Sequence, residues 1–151
     1  ADLQLQFDLA MRIRNQTSLA NEAVIQIRFL RNQMEALMKD QELSALNNSV
    51  QEIIQKTLRI EETLYQVKNQ SNQDPLNFPI KLNNRLASLR RSVENGQARP
   101  TDAAYVVFDE LKGALTQLLT QLDTLLSEDL NRLNDAFRAQ GFKAIEIKKA
   151  P

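Results

Sequence analysis

The sequence predicts an all-α protein: an antiparallel, up-down-up-down four-helix bundle with two long helices, the first and the last, and two shorter ones between them. Three observations carry that reading. The 151 residues include only three Gly and four Pro, so regular elements meet few breaks. Apolar residues make up 42% of the chain and recur in steps of three and four, the period of one helix face. The breaks that do occur are short polar or Pro-containing stretches, and they leave four long segments between them. A chain of this length suits one domain and buries roughly 70% of its unfolded surface on folding.

The first segment, residues 3–39, holds no Gly or Pro. Its stripe reads Leu9, Ile13, Ala20, Ala23, Ile27, Leu30, Met34 and Leu37, with only Gln16 polar in register. Such a helix is about 55 Å long. A second helix, residues 43–69, keeps the rhythm through Leu43, Leu46, Val50, Ile53, Thr57, Ile60, Leu64 and Val67 and runs about 40 Å. The turn between Lys39 and Glu42 is short enough to make the two antiparallel neighbours. In the stretch SNQDPLNFPI, residues 71–80, Pro75 and Pro79 each bias the preceding residue toward extended geometry, so helix stops there. Leu76, Phe78 and Ile80 predict an ordered loop, with Phe78 and Leu76 plugging a groove between helices.

The third helix, residues 81–95, places Leu82, Leu86, Leu89 and Val93 on one face, spans about 22 Å, and has Gly96 as its C-terminal cap. Thr101, after Pro100, is an N-cap with Asp102 in the first turn, opening a helix over 102–140 that Gly141 stops. Its face reads Phe108, Leu111, Leu115, Leu118, Leu122, Leu126, Leu130, Leu133 and Phe137, and the four-residue steps after Leu122 relax the heptad toward a straight helix. Gly113 costs about 1 kcal/mol against Ala and is read as allowing close helix packing. The bundle therefore covers residues 1–141. The tail, 142–151, is expected to fray, although Phe142, Ile145 and Ile147 offer apolar groups that can dock.

Composition excludes much chemistry. There is no His and no Cys, which removes imidazole and thiolate catalysis and the usual His/Cys metal sites, including the His-dependent di-metal centres of four-helix bundles. No cofactor and no metal is expected. The adjacent carboxylates Glu61/Glu62, Asp109/Glu110 and Glu128/Asp129 point about 100° apart on a helix and are read as solvated surface rather than acid/base pairs. Lys+Arg and Asp+Glu balance at 19 each, giving no global pull toward nucleic acid or an anionic membrane. No apolar run is long enough to span a bilayer, and no signal peptide is read. The chain starts at Ala1 without Met, which points to an excised piece of something longer.

The third helix region is basic, with Lys81, Arg85, Arg90, Arg91 and Arg99 against Glu94. The fourth is acidic, with Asp102, Asp109, Glu110, Asp123, Glu128, Asp129 and Asp135 against Lys112, Arg132 and Arg138. Opposite signs on consecutive helices predict internal charge matching rather than a nucleic-acid surface. Asn and Gln together number 28. Asn83, Asn84, Asn131 and Asn134 form a candidate polar network that sets helix register, while a sugar or peptide site would use the same donors and acceptors. The helix lengths suggest a further feature: the start of the first helix and the end of the last project together as a two-helix stalk, with Leu5, Phe7, Leu9, Leu130, Leu133 and Phe137 as a candidate interface.

Four strings carry a resemblance: DLQLQFDLAMRIRNQTSLANEAVIQIRFLRNQ, LYQVKNQSNQDPLNFPIKLNNRLASL, ARPTDAAYVVFDEL and DLNRLNDAFRAQG. Together they resemble the C-terminal helical region of large bacterial proteins that carry Asp-box (BNR) or sortilin-like β-propellers and are commonly labelled glycosyl hydrolases. The likeness covers nearly the whole chain and is most specific from Gln73 to Leu89, around DPLNFPIKLNN. An aromatic residue followed by Asn is usual near the family's end, where this chain reads Leu133-Asn134. The resemblance implies a non-catalytic interaction or structural module of an exported, extracytoplasmic protein, packing on its propeller or on a protein partner, with any hydrolase residues lying in the propeller. A small-ligand or glycan-binding module accessory to a hydrolase is the alternative. A second copy of the chain is a further candidate partner; nucleic acid and membrane insertion are not expected.

Overall fold

The computed structural model describes residues 1–40, 45–65, 81–96 and 98–149, and of Asp40 the backbone only. It is an all-helical four-helix bundle, with no strand among the described residues. The helices are α1 (Asp2–Asp40), α2 (Asn47–Leu64), α3 (Leu82–Asn95), α4 (Asp102–Thr124) and α5 (Leu130–Ala139), the last two joined by a π-helical turn, Leu125–Asp129. The joining residues Thr124, Asp129 and Leu130 keep right-handed helical dihedrals, so helical backbone runs unbroken from Asp102 to Ala139. The first helix and this composite last one are therefore the longest.

By contacts the chain groups into two compact units: residues 1–22 with 62–118, and residues 23–61 with 119–151. In the first, Leu9, Ile13, Ala20, Leu64, Leu82, Leu86, Val93, Phe108, Leu111 and Leu115 are buried, and the Arg12 guanidinium carbon lies 4.8 Å from the centre of the Phe108 ring. In the second, Leu30, Met34, Leu46, Val50, Ile53, Ile54, Leu125, Leu130, Leu133, Phe137 and Ile145 form one apolar cluster. Burying Phe137 completely contributes about 1.5–3 kcal/mol relative to leaving it in water.

Helix ends show what local chemistry decided. The helix expected from residue 43 starts at Asn47 instead, because Ala45 and Leu46 form a turn and the Leu46 carbonyl accepts the first helical bond from Val50. Asn47, Asn48 and Ser49 then occupy the solvent-exposed first turn, where N–H groups have no helical partner. Residues 66–69, together with the 71–80 loop and the proposed plugs Leu76 and Phe78, lie outside the described residues. Thr101 caps α4 as expected, its Oγ1 accepting the Ala104 N–H at 3.1 Å. Gly96 sits at the end of α3 in extended geometry (φ −68°, ψ 140°) rather than as a left-handed cap. The Gln6 side chain does the capping instead: its Nε2 lies 2.7, 3.2 and 2.6 Å from the carbonyls of Val93, Glu94 and Gly96.

Two glycines separate expectation from structure. Gly141 (φ 80°) ends α5 in a Schellman motif, with the Phe142 N–H donating to the Phe137 carbonyl and the Gly141 N–H to that of Arg138. The Phe137 and Phe142 rings meet edge to face at 6.1 Å. Gly113 was expected to admit a close helix, yet a Cβ there would meet nothing within 4 Å. The helix expected to run on regularly past Leu122 contains a π turn over Leu125–Asp129. Buried Leu125 and Leu130 stand five apart, a step that in an α-helix turns the side chain about 140° away. The backbone widens there into the π turn, with the Leu130 N–H donating to the Leu125 carbonyl, and both leucines remain in the core.

Candidate functional site: an amide ladder on the C-terminal tail

The tail expected to fray is held. Asn134, buried on α5, accepts the Ile145 N–H on Oδ1 at 2.7 Å and donates from Nδ2 to the Ile145 carbonyl at 3.0 Å. Gln33 on α1 repeats the pattern on Glu146, with Oε1 accepting its N–H and Nε2 donating to its carbonyl, both at 2.8 Å. Gln26, two helical turns earlier on α1, does the same at Lys148, at 2.8 and 3.2 Å. Alternate residues of an extended chain present their N–H and C=O to opposite edges. Glu146 and Lys148 therefore face α1 while Ile145 faces α5, and the tail runs between the two helices, antiparallel to α1. Gln33 Nε2 also donates to the Phe29 carbonyl at 3.2 Å, which orients the amide.

This ladder reads main chain. The side chains of Glu146, Ile147 and Lys148 are exposed, whereas Ile145 is buried in the second unit's apolar cluster with Phe142 packed against it. The Asn134 bonds are shielded from water and those of Gln26 and Gln33 are exposed. A buried donor or acceptor left unmade costs about 1–3 kcal/mol, so Asn134 is the rung on which the tail depends most.

Ionic groups in the same unit are also less exposed than expected. Glu61 is not solvated surface: it is 1% exposed and receives Arg28 Nε on Oε1 at 2.6 Å and an Arg31 Nη on Oε2 at 2.5 Å, tying α2 to α1. Asp129, at the end of the π turn, accepts Lys56 Nζ at 2.9 Å and an Arg132 Nη at 2.6 Å. The hydrogen bond from Lys56 holds the Asp129 carboxyl below its ordinary range, with Arg132 adding to it against the opposing effect of burial. Asp129, followed by Glu52, in turn raises Lys56. Two shallow depressions flank this pair: about 260 Å³ lined by Ser49, Glu52, Arg132 and Ala136 among others, and about 380 Å³ that includes Arg59, Thr120, Gln121 and Thr124.

The anticipated residues fall out unevenly. Leu9, Leu130, Leu133 and Phe137 are buried, so these four offer no free apolar face to a partner. Leu5 is half-buried and Phe7 is exposed. Of the amides, Asn134 clamps the tail, and Asn131 Nδ2 donates to the Ser127 carbonyl of its own helix at 2.7 Å, so neither sets helix register. Asn83 and Asn84 are half-buried, Asn83 Oδ1 is buried without a partner, and neither residue lines either depression beside the Lys56–Asp129 pair. Among the described residues no ion pair joins α3 to α4; Arg90 pairs with Glu94 in its own helix instead. Gln26 and Gln33 were missed, and their only sequence signal is a seven-residue spacing on the flank of the α1 stripe.

Among the described residues no three acidic side chains converge as a metal site would require, and no helix is long and apolar enough to cross a membrane. No protein-family model, curated protein or solved structure matches this chain.

Proposed function

We propose that this chain is a non-catalytic helical interaction and structural module, the C-terminal domain of an exported, extracytoplasmic β-propeller protein, and that it packs on that propeller. The observation that supports this most directly is the exposed pair Leu3 and Phe7, 76% and 59% accessible and one turn apart on the outer face of α1. Residues four apart are neighbours on a helix surface, so the two apolar side chains together form a site that a partner surface can cover. In the proteins that the sequence resembles the propeller precedes the helical region, so a body entering ahead of α1 would meet this face.

The experiment reads the segment encoded upstream of this chain, produces that segment and this chain separately, and asks whether the two associate. Association lost on Leu3→Glu with Phe7→Glu, at unchanged helicity, supports the reading. Association that survives both substitutions, or an upstream segment that is not a propeller, overturns it.

A further inference from the structure

We propose that Gln26, Gln33 and Asn134 form a backbone-reading peptide site whose occupant in trans is the 142–149 tail of a second copy of this chain, exchanged for the chain's own. The clamp recognises three residues through six main-chain groups and leaves the side chains of Glu146, Ile147 and Lys148 in water. An extended strand offers both its N–H and its C=O at alternate residues, which is what a primary amide pairs with, so the site accepts extended peptide as a class.

Side chains enter at two places only. Ile145 is buried among Leu30, Met34 and Leu133, and Phe142 packs against Phe137. An unrelated segment would need an aliphatic residue three positions after an aromatic one, in phase with the clamp. A second copy carries both by identity, and that requirement selects the occupant.

The joint that would let the tail leave is also present. Gly141 is the described residue of positive φ, and the space around its Cβ position is empty. A change at this one residue redirects the chain while α5 stays intact. Beyond it the tail has no helix of its own. Every bond broken on leaving is remade in the partner, which is why exchange of a short terminal element is a low-cost route to a dimer. This inference does not rest on the propeller reading, because the clamp residues and the tail all lie in the second unit and Leu3 and Phe7 in the first.

The test is a complementation. One variant, Gln26→Ala with Gln33→Ala and Asn134→Ala, has a sound tail and a broken clamp; the other, Ile145→Asp, has a sound clamp and a tail that cannot dock. Each alone should sediment as a monomer, and the equimolar mixture should contain a heterodimer in which the first variant's tail fills the second's site. Only monomers in the mixture, with both partners helical by circular dichroism, overturns the proposal. A second measurement covers the case in which a variant does not fold. A fluorescein-labelled peptide of residues 142–149 added to the intact chain should bind, N-methylation of its Glu146 and Lys148 amides should weaken binding about tenfold, and Ser in place of those two side chains should leave it within about twofold. Absence of binding, or equal loss in both peptides, overturns it as well.

Discussion

Side-chain amides do two different jobs in the two units. In the first, Gln6 uses only its donor half, reaching the carbonyls of Val93, Glu94 and Gly96 where α3 ends. In the second, Gln26, Gln33 and Asn134 each use both halves, on Lys148, Glu146 and Ile145. The difference lies in the backbone being read. A residue in the last turn of a helix has already given its N–H to the preceding turn and keeps only its carbonyl free, whereas an extended residue keeps both. The same functional group thus distinguishes a helix end from a strand-like segment without reading a side chain.

Removing one amide at a time separates the two jobs. Asn134→Leu should cost about 2–4 kcal/mol in urea unfolding, since it strands the buried N–H and C=O of Ile145; a loss under about 0.5 kcal/mol would show that the tail contributes little. Gln6→Ala should cost about 1 kcal/mol, close to the loss of a helix cap, and Gln33→Ala about 0.5–1 kcal/mol because its bonds are exposed. If Gln6→Ala proves costlier than Asn134→Leu, the ranking of the two jobs is wrong.

Acid offers a control that touches neither amide set. Asp129 titrates below its unfolded value of 3.8, so the folded state binds fewer protons than the unfolded chain in that window. Stability from the Lys56 pair is then fully present above pH 3.8 and fades as pH falls through the folded value. Asp129→Asn should flatten that acid limb in a pH series of urea melts, while Gln6→Ala leaves it in place. At the alkaline end, raised Lys56 contributes below 10.5 and loses its contribution as pH rises through its folded value. The smallest effect expected is a gain. Gly113→Ala, at an exposed position of α4, should stabilise by about 0.5–1 kcal/mol, because the added methyl meets nothing and the unfolded chain loses freedom.

Much of the fold was legible because it depends on local period. The α1 stripe from Leu9 to Met34 is buried where the spacing placed it, and the Thr101 cap and the Gly141 stop follow from chemistry within four residues. Features that depend on partners far along the chain were not legible. The five-residue step from Leu125 to Leu130 reads as an ordinary stripe through Leu126 until the core claims Leu125. Glu61 reads as surface until Arg28 and Arg31, a whole helix earlier, arrive beside it. The clamp was the least visible, since Gln26, Gln33 and Asn134 recognise main-chain groups, and main chain is the same in every sequence.

Hydrogen exchange along the tail tests the amide ladder most directly. The N–H groups of Ile145, Glu146 and Lys148 have acceptors on Asn134, Gln33 and Gln26, while Ile147 lies between two rungs with its side chain in water. Residue-resolved exchange on the intact chain should therefore show slow exchange at Ile145, weaker protection at Glu146 and Lys148, and fast exchange at Ile147. Uniformly fast exchange from Lys143 to Lys149 would contradict the ladder, and with it the reading of Gln26, Gln33 and Asn134 as a peptide clamp.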